Sequence, residues 1–157
     1  MTLLRKVRDL AHRAGDRLRW LPPTVARLTL GWVFFQSGWG KLHNLPKVID
    51  YFASLGVPSP QIAAPFSAST ELVCGALLLL GLATRLASLP LIGVMAVALW
   101  TAKRPDIASL TDLFGQEEYL NICLLLWLGA YGGGPISLDR FVNARLDRGR
   151  AGADDRT

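Results

Sequence analysis

Charged side chains are confined to certain stretches of this chain, and the stretches between them are long and apolar. Residues 25–35 hold one charge, Arg27, and residues 62–84 hold one, Glu71; residues 86–102 and 119–134 hold none. About 20 apolar residues are needed to cross roughly 30 Å of hydrocarbon. The second and third windows meet or nearly meet that length. The first reaches it by running on through "QSGWGKL" to Leu42, and the fourth by starting near Glu117. Both extensions put polar groups near one membrane face, where Lys41 can snorkel and Glu117 and Glu118 stay wet. The pattern therefore predicts an all-α, integral membrane four-helix bundle, with spans over about 24–43, 61–83, 86–102 and 117–133.

The connections carry their own signals. "HNLPKVIDYFASLGVPSPQ" is too long for a tight turn, and Val48, Ile49, Phe52 and Leu55 share one helical face, which predicts a short interfacial helix on the outer surface. The "LATR" turn is short, so the second and third spans form an antiparallel hairpin. Pro90 falls in the first turns of the third span, where a proline is tolerated or bends the helix mildly. "KRPDIASLTDLFGQEE" reads as an acidic outer loop. "GGGPISLD" reads as a helix terminator, with Ser137 as the cap of a final short cytoplasmic helix.

Charge supplies the orientation. Arg5, Lys6, Arg8, Arg13, Arg17, Arg19 and Arg27 precede or open the first span. Arg85 sits in the hairpin turn, and Arg140, Arg145, Arg148, Arg150 and Arg156 follow the fourth span; only Lys41, Lys47, Lys103 and Arg104 fall on the other side. The positive-inside rule then places both termini in the cytoplasm, as an even number of spans also requires.

Composition agrees with a membrane solvent. In 157 residues, 51% are hydrophobic and 18% charged, and the mean hydropathy is +0.31, too apolar for an ordinary soluble domain of this size. The net charge of +5 and pI near 9.7 do not indicate nucleic-acid binding, because no basic face interleaved with aromatics and no binding motif is present. Residues 1–22 form a basic cytoplasmic tail in which Leu4, Val7, Ala11, Ala14 and Leu18 recur at helical spacing, suited to an anionic leaflet or to a solvated tail. Residues 24–141 form the membrane domain and 142–157 a polar cytoplasmic tail. No small-x-small cleavage site follows Phe35, so the first span is expected to be retained.

Candidate chemistry centres on Glu71. A charge at the bilayer centre costs on the order of 2.5 to 3.5 kcal/mol, so this carboxylate must face protein, be protonated, or both. It shares a helical face with Ser67, Cys74, Gly75 and Leu78, small enough in part for another helix to come close. Its candidate partners are Lys41 and Gln36 from the first span, Asn121 from the fourth and, at a less favourable depth, Arg27. These groups form either a buried clamp or a polar outer pocket for an anion or a quinone head group. Trp39, Trp100 and Tyr119 fit an outer aromatic belt, while Trp32 and Trp127 lie deeper, in packing or at a pocket wall. Cys74 and Cys123 belong to no CxxC pair and read as buried thiols that could share a depth. No metal set stands out, and His12 and His43 lie outside the spans, which argues against an intramembrane bis-histidine haem.

The segments "RLTLGWVFFQSGWGKL", "ELVCGALLLLGLATRLASLPLIGVMAVAL" and "GGGPISLD", in this order, resemble the DoxX family of small bacterial membrane proteins. The matching positions are Arg27, Gly31, Phe34, Ser37, Gly38, Lys41, Glu71, Gly75, Gly81, Arg85 and Met95, then Gly134, Ser137, Leu138 and Asp139. The resemblance implies a multi-pass protein of the bacterial inner (plasma) membrane. Its lipid-embedded relatives include the small subunit of a thiosulfate:quinone oxidoreductase and a partner in a membrane oxidoreductase complex for thiol stress. It further implies a redox-associated subunit with partner redox proteins and quinone as the candidate cofactor, Lys41 and Glu71 at the site, and Arg27 and Arg85 in support. The competing expectation is a non-catalytic scaffold or anchor. Four short helices without repeats offer little room for a transporter, and the chain is compatible with a homo-oligomer.

Overall fold

The computed structural model describes residues 18–134 and 137–139; the expected amphipathic N-terminal helix and the C-terminal tail lie outside them. The elements are α1 (Leu21–His43), α2 (Leu45–Ser54), α3 (Pro60–Leu80), α4 (Thr84–Ala98), α5 (Leu110–Gly115) and α6 (Glu117–Tyr131), with no strand among the described residues. A π-helical turn (Leu99–Lys103) and a 3-10 turn (Arg104–Asp106) prolong α4. Prolines open α1, α2 and α3, a position where the missing N–H costs nothing and the fixed φ suits a first turn.

The helices expected at about 24–43, 61–83, 86–102 and 117–133, and the one expected between the first two, are present within a few residues of those limits, while the segment expected as an acidic outer loop contains the short helix α5. Two of them, α3 and α4 with its continuation to Asp106, are long and apolar enough to cross a membrane. Helix α1 has 23 residues but carries Arg27, Lys41 and several polar groups, and α6 has 15, about 22 Å at 1.5 Å per residue. The exterior is oily: Ile62, Phe66, Val73, Leu86, Leu89, Val97 and Leu126 are all exposed. So many large apolar side chains left in the open suit a lipid surrounding.

Helix α1 packs along α3, α4 packs between α3 and α6, and α2 lies against α3. The core between them contains Leu30, Phe34, Cys74, Leu78, Leu91, Met95, Leu125 and Leu128. The α1–α3 contact is close because glycines from both helices face each other along it. A Cβ added at Gly75 would lie 2.5 Å from the Phe35 nitrogen and one at Gly31 2.8 Å from the Leu79 nitrogen, while one at Gly38 would overlap the backbone of Ala68 and Leu72. Such small-residue seams hold helices together in lipid, where burial gives no hydrophobic advantage.

The α3–α4 hairpin is as short as expected. Gly81 takes a left-handed conformation (φ +69), and the amides of Gly81 and Leu82 donate to the carbonyls of Leu78 and Leu77, closing α3 with a Schellman motif. The end of the described chain returns to this turn: the Asp139 carboxylate accepts from the amides of Ala83 (2.6 Å) and Thr84 (3.0 Å), and its own amide donates to the Gly81 carbonyl. Asp139 thus caps α4 from 55 residues away. Ser137 donates to the Gly134 carbonyl; of the final helix that it was expected to cap, Leu138 and Asp139 fall within the described residues and are helical. In the connection before α6, Ser109 and Asp112 form a capping box, and the hydrogen bonds from Ser109 and Ala108 hold the Asp112 carboxyl below its usual range.

Candidate functional site

Glu71 sits near the middle of α3, on the face turned to α1, and is 0% exposed. In the last turn of α1, Lys41 reaches back along the helix pair and donates to both carboxylate oxygens, at 2.6 and 2.8 Å. Ser37, one turn earlier on α1, donates to Oε2 at 2.7 Å, and Ser67, one turn earlier on α3, to Oε1 at 3.4 Å. The carboxylate therefore receives four hydrogen bonds, and both its oxygens are occupied. The glycine seam allows this: with Gly38 beside Ser37 and Gly75 one turn beyond Glu71, the two helix axes come close enough for short hydroxyls to span the gap. Charge-assisted bonds of this length are among the stronger ones.

Of the expected partners, the structure brings Lys41 to Glu71 and places the others elsewhere. Gln36 is exposed on the outside of α1; the neighbouring Ser37 takes the place expected for it, because one residue along a helix turns the side chain by about 100°. Asn121 lies on the wall of the cavity described below but is not among the groups bonded to Glu71. Arg27 is at the other end of α1, 4% exposed, packed against Gly81 and Gly133, with Asp139 as the nearby opposite charge. It belongs to the hairpin end of the molecule. Sequence reasoning did not identify Ser37 and Ser67 as partners of Glu71, although serines one turn from each member of an expected ion pair are the available signal.

The cysteines do not form a pair. Both thiols are free; Cys74 is in the core as expected, whereas Cys123 is exposed on α6. Among the described residues no group of three His, Cys, Asp or Glu side chains is arranged to hold a metal. Trp39 and Trp100 are exposed, as suits a belt, and Arg104 lies over the Trp100 ring at 4.4 Å. Trp32 is exposed as well, and neither it nor Trp127 lines the cavity.

The Lys41–Glu71 pair forms part of the wall of a cavity of about 950 Å³. Helix α2 covers one side with Val48, Tyr51, Phe52 and Leu55, α1 and α3 contribute Phe34 and Phe66, and α4 with its π turn contributes Val94, Met95, Thr101 and Lys103. Glu117, Glu118 and Asn121 from the start of α6 complete it. The lining is mostly apolar, with a few convergent polar groups, and the volume is at the upper end of that of small-molecule sites. Lys41 is 31% exposed, and its ammonium has three N–H groups. It can therefore serve Glu71 and still meet a ligand.

The profile of the DoxX family matches residues 23–104. The chain is also 32% identical, over 143 aligned residues covering 79% of this chain and 84% of the other, to "Uncharacterized membrane protein Rv3486" of Mycobacterium tuberculosis (strain ATCC 25618 / H37Rv).

The chain belongs to the DoxX family.

A second relative is the "Putative oxidoreductase CatD" of Bacillus subtilis (strain 168), 31% identical over 122 residues covering 75% of this chain and 84% of that one. No solved structure matches. The family and the first relative's name make this a membrane protein, in keeping with its two long apolar helices and oily exterior. Lys41, Glu71, Ser37 and the glycine seam lie within the DoxX-matched segment; the α6 wall of the cavity lies beyond it.

Proposed function

We propose that this DoxX-family protein is a redox-associated subunit of the bacterial inner membrane, which holds the polar head group of an apolar molecule in the cavity walled by Lys41 and Glu71. In this reading α1, α3, α4 and α6 cross the membrane, both termini are cytoplasmic, and the cavity opens in the outer half of the bundle. The carrying observation is a mostly apolar space of about 950 Å³ that meets a buried carboxylate, Glu71, with both oxygens hydrogen-bonded, and its partly exposed partner Lys41. A compound partitioning from lipid would find an apolar body site with a cation at its edge. The name of the Bacillus relative supports a redox setting for such a site.

The lining charges narrow the ligand. Lys41, Lys47 and Lys103 are matched by Glu71, Glu117 and Glu118, so the cavity as a whole carries no excess of positive charge. A sulfur oxyanion would gain little from it beyond local contact with one lysine, whereas a neutral quinone-type head group needs only a hydrogen-bond donor, which Lys41 offers. Electrons would be exchanged with a partner redox protein; this chain supplies the binding site and its charge.

One observation favours a second reading. Because the four hydrogen bonds to Glu71 come from α1 and α3, the pair is also a clamp between them, as a non-catalytic scaffold would need. Membrane vesicles containing the protein, supplied with thiosulfate and a short-chain quinone, separate the two. The redox reading expects a protein-dependent rate of quinone reduction that falls about tenfold or more in Lys41→Ala. A rate unchanged by Lys41→Ala and Glu71→Gln, with only thermal stability lowered, leaves the scaffold.

A further inference from the structure

At the rim of the cavity, Glu118 stands in the first turn of α6 with its side chain 17% exposed. Lys103 approaches its Oε1 only to 3.9 Å, beyond hydrogen-bond range, and Oε2 is buried with no hydrogen-bond partner at all. A carboxylate oxygen removed from water and left without a donor is an unmet requirement. Glu71, on the same cavity wall, is in the opposite state, with every oxygen occupied. The rim is also where α4 departs from regular geometry: the π turn Leu99–Lys103 brings Thr101, Ala102 and Lys103 onto the cavity wall beside the start of α6. Single π turns are rare and concentrate at functional sites.

We propose that Glu118 is the binding residue for a ligand hydroxyl, and that the cavity therefore holds a phenolic, hydroquinone-type head group in preference to the corresponding quinone. This rests on reading the cavity as a head-group site and goes beyond it by assigning the redox form. A quinone oxygen can only accept: it suits an N–H of Lys41 but repels the bare oxygen of Glu118. A phenolic hydroxyl donates to Glu118, and its oxygen or a second hydroxyl accepts from Lys41. The rings of Phe34, Tyr51, Phe52 and Phe66 give the aromatic body its surroundings.

An alkylphenol and its methyl ether test this without redox chemistry, since they differ in the one donor. Titrated by calorimetry into the full-length protein in lipid nanodiscs, 4-nonylphenol is expected to bind about tenfold or more tightly than 4-nonylanisole. In Glu118→Leu the preference should collapse to near parity while the ether binds as before, which also shows that the variant is folded. Equal binding of both probes to the unaltered protein overturns the role of Glu118 and leaves the head-group site standing. Binding of neither overturns both. Should Glu118→Leu not fold, the ratio measured on the unaltered protein decides.

Discussion

Removing one member of the Lys41–Glu71 pair and removing both are different experiments. Lys41→Met leaves a fully buried carboxylate with only two serine hydroxyls, and losing one partner of a buried pair costs about 3–5 kcal/mol. Lys41→Met with Glu71→Leu removes the charge as well as its partner and should restore much of that loss. Thermal unfolding in detergent, read as a double-mutant cycle, checks it; a double variant as unstable as the single one would show that the pair is not the source of the loss. This pair was legible from sequence, because the first span runs outward and the second inward, so a long side chain near the end of the first can reach back along the second to Glu71. Ser37 was not: the choice between it and Gln36 depends on helical phase at the far end of a 23-residue helix, and an error of one residue there exchanges inside for outside.

Among the elements, the α1–α3 seam carries the architecture. Gly38→Leu should separate these helices and cost about 1–3 kcal/mol or more, whereas Gly40→Ala, with nothing within 4 Å of its Cβ position, should be neutral or stabilise by about 0.5–1 kcal/mol. Comparable losses at both positions would refute the close crossing. Asp139→Ala should lower stability by about 0.5–2 kcal/mol by leaving the Ala83 and Thr84 amides unpaired, with Asp139→Asn milder; hydrogen exchange at those two amides reports it directly. The helices themselves were readable from charge exclusion. The long-range cap was not, since nothing in "ISLD" says that it meets the turn after "LLGLATR". The π turn was equally hidden, because the third window is uniformly apolar and offers no break in period.

For the whole molecule, the arrangement of charge and oil implies a direction as well as a solvent. In the proposed topology, which puts both termini in the cytoplasm, a reporter fused after Thr157 should be active only in a cytoplasmic format. A single cysteine at Asp50, in α2, should react with an impermeant thiol reagent from outside, and the opposite labelling would invert the topology. The cavity was the part least visible in the sequence. It depends on α2 lying across α3 and on the start of α6 meeting the prolonged end of α4, and both are matters of packing rather than pattern. The central claim is that this space holds an apolar molecule by its polar head. Mass spectrometry of the organic extract from purified protein, set beside that from Lys41→Ala, tests it most directly. A ring-headed lipophile retained near one per chain and depleted in the variant is the expected result; extracts containing only bulk phospholipid, in equal amounts from both, would contradict it.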